Sequence, residues 1–159
     1  MNGSVGSTFL CMKLSLFSDY SLRVLIYASL REGQFQLKDV SKAYGISRNH
    51  LAQVVHRLGQ LGYLETRRGR GGGCRLAQPA SEVRLGKLFR QTEDQPMVME
   101  CFDPKTNSCR IAGHCRVQGA LTQAMAAFYA TLDQYTIADV AVGPQNEAIA
   151  RILLAVKGG

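Results

Sequence analysis

Residues 46–62 read ISRNHLAQVVHRLGQLG, and within them Leu51, Val54, Val55, Leu58 and Leu61 recur at helical spacing. Ser47 stands where a helix N-cap belongs, its hydroxyl placed to take an N–H group that the first turn leaves open. The opposite face carries Arg48, Asn49, His50, Gln53 and Arg57. Arg, Asn and Gln pair bidentately with guanine or adenine edges in a major groove. Any one of them is equally at home on an ordinary solvated surface, so the neighbouring segments must decide.

Just upstream, LKDVSKAYG (residues 37–45) predicts a short helix closed by Gly45. Two short helices joined by a Gly-containing turn, the second polar on its outer face, describe a helix-turn-helix. Further upstream, YSLRVLIYASLREG (residues 20–33) repeats Leu22, Leu25, Ile26, Ser29 and Leu30 at helical spacing and predicts a first helix running to Gly33. Downstream, YLETRRGRGGGCRLAQP (residues 63–79) reads as strand, loop, strand, with residues 65–68 and 74–76 flanking Gly69-Arg70-Gly71-Gly72-Gly73 and Pro79 ending the hairpin. The consecutive glycines let backbone lie close to a duplex, and Arg67, Arg68, Arg70 and Arg75 supply cations. Arg70 at the tip is placed to reach a phosphate or a minor groove. No Lys-Ser/Thr follows the glycines and no strand-to-helix context surrounds them, which argues against a nucleotide-binding P-loop. The expected fold is mainly α with a small β-hairpin wing: a winged helix-turn-helix.

Charge divides the chain in the same place. Residues 12–90 hold fourteen Lys/Arg against five acids, whereas residues 91–159 hold five against seven. A basic front half of this kind suits a polyanion partner. The hydrophobic fraction is 46% and the mean hydropathy is near zero, as in globular chains. No apolar run approaches the ~20 residues that cross a bilayer. The first residues show neither a basic n-region nor a small-residue cleavage site, so residues 1–11 are expected to be a flexible extension, with Met12 an alternative start, and the location cytoplasmic and reducing, with no membrane partner.

The back half poses a different problem. ECFDPKTNSCRIAGHCRVQ (residues 100–118) holds Cys101, Cys109 and Cys115, with seven and then five residues between them. An odd set in a reducing compartment disfavours disulfides. A zinc site completed by His114 is one alternative, although His114 directly precedes Cys115 and adjacent side chains rarely enter one small tetrahedron. An iron–sulfur cluster is larger and can be held at three corners by thiolates so spread, and the spacing alone leaves zinc and cluster both open. Beyond the cysteines, Val117, Leu121, Met125, Phe128 and Leu132 form a helical stripe suited to a partner helix in a homodimer, which a two-fold operator would require. Cys74 lies in the wing strand and is expected to be structural, and Cys11 in the extension a bystander. No Ser/His/Asp or paired-carboxylate constellation suggests hydrolysis, and no flavin or nicotinamide site suggests electron transfer, so the chain is not expected to be an enzyme.

FSDYSLRVLIYAS (residues 17–29), the run from residue 44 to 93 and the three-cysteine segment, in that order, resemble the bacterial iron–sulfur winged-helix repressors. The glycine-tipped wing is the most specific part, and the likeness spans residues 12 to about 142. It implies a homodimeric transcriptional repressor that binds double-stranded operator DNA and holds a cluster, 4Fe–4S or alternatively 2Fe–2S. It also implies nitric oxide as the signal, with iron or cluster status as the alternative within the family. Cys101, Cys109 and Cys115 would be ligands, joined by Asp19 from the other subunit, a residue also suited to capping its helix. A cluster-assembly regulator of the family uses a histidine where this chain has Gln118, which argues against that branch. The organisation so implied is an extension (1–11), a winged helix-turn-helix (12–90), a cluster-binding loop (91–116), a dimerisation helix (117–142) and a C-terminal tail (143–159). Arg48, Asn49, His50, Gln53, Arg57, Arg68, Arg70 and Arg75 are the expected DNA contacts.

Overall fold

The computed structural model describes residues 14–67, 69, 71–93, 99–141 and 147–155. Helix α1, Leu16–Ser29, starts at Ser15, whose hydroxyl accepts the N–H of Ser18 at 3.1 Å. It ends at Ser29 rather than at Gly33. Val24, Leu25, Tyr27 and Ala28 are buried while Leu22, Ile26 and Leu30 are half-buried against the core, so α1 is wrapped on most sides. Such wrapping explains why its apolar residues outnumber a single stripe.

Helix α2, Leu37–Tyr44, begins where the Asp39 carboxylate accepts the N–H of Gln36 at 2.9 Å and ends at Gly45, whose φ of +67° is the left-handed conformation expected at that cap. Helix α3, Arg48–Gln60, is capped by Ser47, which accepts the N–H of His50, and buries Leu51, Val54, Val55 and Leu58. The wing follows as β1, Leu64–Arg67, antiparallel to β2, Gly73–Leu76, in a register that pairs Leu64 with Leu76 and Arg67 with Gly73. The first strand sits one residue earlier than the sequence pattern placed it, and the second gains Gly73 at its start. Beside this ladder, Phe35 and Cys74 exchange two backbone hydrogen bonds of 2.8 Å. A Cβ on Gly73 would lie 2.6 Å from the Phe35 carbonyl oxygen. That glycine serves the protein's own sheet, not the approach to a duplex.

Helix α4, Leu85–Thr92, buries Leu85, Leu88 and Phe89 and is locked to the start of α1. Ser18 and Thr92 share a buried 2.7 Å hydroxyl contact, and Glu93 accepts from both the N–H and the hydroxyl of Ser15. Helix α5, Arg116–Leu132, buries none of its residues, and of its side chains only Tyr129 and Leu132 pack against the core. It stops well before residue 142. Thr136 and Asp139 cap each other reciprocally and start a separate helix α6, Ile137–Ala141, whose Ile137 is fully buried. The T-x-x-D pattern was there to be read in the sequence. The expected tail likewise contains a helix, α7, Glu147–Leu154. Its Leu153 is buried and it packs on α2. Val24, Leu25, Leu51, Leu58, Val83, Leu88 and Ile137 are the fully buried centre, so the core belongs to the winged helix and α6 seals it. No helix among the described residues is long and apolar enough to cross a membrane.

Candidate functional site

With Leu51, Val54, Val55 and Leu58 turned inward, helical geometry turns Asn49, Gln53, His56 and Gln60 outward together, and all four are exposed. His56 and Gln60 are linked side chain to side chain at 3.1 Å. On one flank of α3, Arg48, Ala52 and His56 line a groove of about 550 Å³, closed by Gln36, Leu37 and Lys38 of α2 and by Thr66, Arg67, Gly69 and Gly72 of the wing. Lys38, Arg48 and Arg67 are its cations, and no acid lines it among the described residues. A trough of that charge between a recognition helix and a wing suits a phosphate backbone. On the other flank, His50 and Gln53 border a smaller apolar hollow with Leu16, Phe17 and Tyr20, and the His50 ring stands 6.2 Å from that of Tyr20. Arg57 is exposed on that flank.

The other expected contacts divide. Arg75 is exposed but gripped by Glu65, its partner in register, at 2.6 and 2.8 Å. Arg68 and Arg70 lie outside the described residues. Cys74 is buried, and burial pushes its thiol pKa up, which keeps it a protonated, inert core side chain.

Cys11 lies outside the described residues. Cys101, Cys109 and Cys115 lie between α4 and α5 and are all free thiols, Cys101 and Cys115 half-buried and Cys109 exposed. Side chains of the loop hold its own backbone. Glu100, in the 3-10 turn Glu100–Phe102, accepts from the N–H and hydroxyl of Ser108, and those bonds hold its carboxyl below the usual range. Asp103 accepts from the N–H of Lys105 and the hydroxyl of Thr106, and Asn107 from the N–H of Cys109. Gln118 accepts from the N–H of Gly113 at 3.1 Å and donates to the carbonyl of Cys101 at 3.0 Å. Cys115 is the N-cap residue of α5 and its side chain makes no capping bond.

A protein-family model described as Rrf2, iron-dependent transcriptional regulator, matches residues 14–143. The chain belongs to the Rrf2 family. It is 47% identical over 131 residues to the HTH-type transcriptional regulator NsrR of Bacillus subtilis, covering 81% of this chain and 90% of that one. It is 43% identical over 148 residues to NsrR of Shouchella clausii, covering 92% and 97%. The solved structure of Staphylococcus aureus CymR superposes with a TM-score of 0.63 at 24% identity, over 81% of this chain and 98% of that one. This Rrf2 protein is thus a transcriptional regulator with a winged helix-turn-helix fold.

The description of the Rrf2 family as iron-dependent raises the question whether the cysteine loop suits a metal. The donor set fits: three free thiols on one loop, one at a helix N-terminus, with soft sulfur suited to iron–sulfur clusters or zinc. Among the described residues no three His, Cys, Asp or Glu side chains are gathered to metal-binding distance, so the loop offers ligands without assembling a finished shell. Asp19 lies on α1. It is not the cap, because Ser15 fills that place. Its carboxylate pairs with Arg23 one turn on, at 2.9 Å through both guanidinium contacts, and Arg23 lies 5.6 Å over the Tyr44 ring. Burial pushes the Tyr44 hydroxyl up to about 12, so it stays neutral beneath that cation. His114, the expected fourth donor of a zinc site, is exposed, and its backbone N–H donates to the Ile111 carbonyl.

Sequence reasoning missed His56 and Lys38 as groove residues and Gln118 as part of the loop. His56 was legible, because it shares the helical face of Asn49 and Gln53. Lys38 was not, since its place depends on how α2 crosses α3.

Proposed function

We propose that this Rrf2 protein is a dimeric, cytoplasmic repressor that senses nitric oxide through an iron–sulfur cluster, most simply 4Fe–4S, held by Cys101, Cys109 and Cys115. The observation that carries the reading is the loop itself: three unpaired thiols on braced backbone, set at the joint between the winged helix and α5. Its likeness to the NsrR regulators supports the same reading. The cluster, when bound, would supply the iron to which nitric oxide binds.

The chain's own residues do the rest. Arg48, Asn49, Gln53 and Arg57 on α3, with His50 on its flank, meet the major groove, while Arg68, Arg70 and Arg75 of the wing meet phosphate or the minor groove. Val117 is 56% exposed, and with Leu121, Met125 and Phe128 it forms the α5 stripe that a second copy covers. The loop joins α4 of the winged helix to α5, so any change in how it is held alters the spacing of the two recognition helices. Asp19 completes the ligand set from the partner subunit. A second reading, response to iron supply, is favoured by the description of the family as iron-dependent.

Anaerobically purified protein should be coloured, and Cys101→Ala, Cys109→Ala or Cys115→Ala should each lose the chromophore and operator binding together. Nitric oxide should release wild-type protein from DNA. A colourless protein with stoichiometric zinc sinks the cluster. Operator release by iron chelation and not by nitric oxide selects the second reading.

A further inference from the structure

Gln118 is the third residue of α5, the position from which a Gln commonly reaches back to the N–H of the cap residue. Here it does something else. Its carbonyl accepts the N–H of Gly113, two residues before Cys115, and its amide nitrogen donates to the backbone carbonyl of Cys101. One half-buried amide therefore ties the first cysteine's backbone to the segment that carries the third. Both ends go to backbone and neither to sulfur. Glu100 does the complementary job, tying the first cysteine's turn to Ser108 beside Cys109.

We propose that Gln118 is the positioning residue of the cysteine loop, tying the backbone of Cys101 to that of Gly113 so that Cys101 and Cys115 can be drawn onto one metal centre. The proposal rests on the assignment of these cysteines as ligands. The loop holds Pro104 and Gly113 and is mostly exposed, so its backbone has little core to order it. A side chain anchored on a helix is what fixes one end of it against the other. With the two ends of the loop already tied, less loop entropy is lost when a metal draws the thiols together.

Gln118→Glu separates this role from helix capping. A Glu at the third helical position caps as well as Gln does, and it still accepts from Gly113. It has no N–H for Cys101 and sets a carboxylate oxygen against that carbonyl. A brace fails in Gln118→Glu and in Gln118→Ala, whereas a cap fails only in Gln118→Ala.

Two measurements on the full-length protein read the outcome. The first bridges thiols in the metal-free protein with dibromobimane. Trypsin cuts after Lys105, Arg110 and Arg116, which puts the three cysteines on separate peptides and identifies the bridged pair by mass. The Cys101–Cys115 bridge should form several-fold less in both variants than in wild type. The second reconstitutes the protein anaerobically with ferrous iron and sulfide and follows iron loss to a chelator. Both variants should lose iron about tenfold faster, the usual scale for residues that orient metal ligands. Gln118→Glu matching wild type in bridging and in iron loss overturns the brace. Wild-type protein that takes up no iron overturns the ligand assignment instead, and the bridging yields then judge the brace by themselves.

Discussion

Arg90 of α4 and Asp133 at the end of α5 form a two-pronged ion pair, with the guanidinium of Arg90 also 4.8 Å over the ring of Tyr129. Arg84 adds a hydrogen bond to the Asp133 carbonyl at 3.3 Å, and Leu85 one from its N–H to the Tyr135 carbonyl at 2.9 Å. This joint is where the core of the winged helix meets a helix that has almost no core of its own. Gly86 makes the close approach feasible. These contacts, with the cysteine loop and the turn into α6, connect α5 to the DNA-binding half.

Gly86→Ala should loosen that joint. A Cβ there would lie 2.2 Å from the Asp133 carboxylate and 2.7 Å from the Tyr129 backbone carbonyl. The carboxylate can swing away, but the carbonyl belongs to the helix and cannot. The expected cost is roughly 1–3 kcal/mol, the scale of inserting a methyl into a packed contact. Denaturant unfolding of the variant with an unchanged midpoint would show that α5 is free to shift.

The ion pair also sets an acid dependence. Its hydrogen bonds from Arg90 hold the Asp133 carboxyl below its ordinary value. A carboxylate depressed in the folded state stabilises it above the unfolded value, and that contribution is lost as pH falls through the folded one. Wild type should therefore melt above Asp133→Asn by a constant margin at neutral pH, and the margin should close below about pH 4. A gap that persists in strong acid means that the variant's amide is disfavoured by packing and not by lost charge.

Much of this architecture was legible from patterns that are local. Ser47, Gly45 and the α3 stripe follow from capping and periodicity, and the wing follows from a glycine run between strand formers. What the sequence hid was non-local. Strand β2 of the wing also pairs through Cys74 with Phe35 from outside the hairpin, and Asp19 lost its expected capping role because Ser15, one turn earlier, already supplies it. The α5 helix ended early because a polar turn with its own Thr136–Asp139 cap broke an otherwise helical run. The cysteine spacing offered candidate ligands but could not place them, since the loop is held by Glu100 and Gln118 across gaps no periodicity records.

The two flanks of α3 should fail differently on DNA. Gln53→Ala and Asn49→Ala, on the outward face, should cost roughly 1–3 kcal/mol at the operator and little on random DNA. Lys38→Ala and Arg67→Ala, in the basic groove, should weaken both alike and lower the salt slope by about one unit each. Arg75→Ala should do less, because Glu65 already holds that guanidinium. Binding isotherms at two salt concentrations separate the classes. Equal losses on operator and random DNA for Gln53→Ala would remove it from base reading.

Asp19 offers the sharpest test of the ligand set. Ser15 caps α1, so replacing Asp19 leaves the cap intact, and any effect must come from its carboxylate. That carboxylate has one visible partner, Arg23, in a pair whose side chains are 38% and 41% exposed. Breaking such an i,i+4 pair costs only about 0.3–0.5 kcal/mol, too little to disturb folding. Asp19→Asn and Arg23→Gln both break it, but only Asp19→Asn removes a candidate metal ligand. Oxygen is a poorer partner for cluster iron than sulfur, so a carboxylate-held corner should be the one most easily lost. If Asp19 is the fourth ligand, Asp19→Asn should keep a chromophore on three cysteines with an altered spectrum and weakened operator binding, while Arg23→Gln keeps the wild-type spectrum. If instead the two variants behave alike in spectrum, DNA affinity and nitric-oxide response, Asp19 serves only as the partner of Arg23, and His114 becomes the next donor to test.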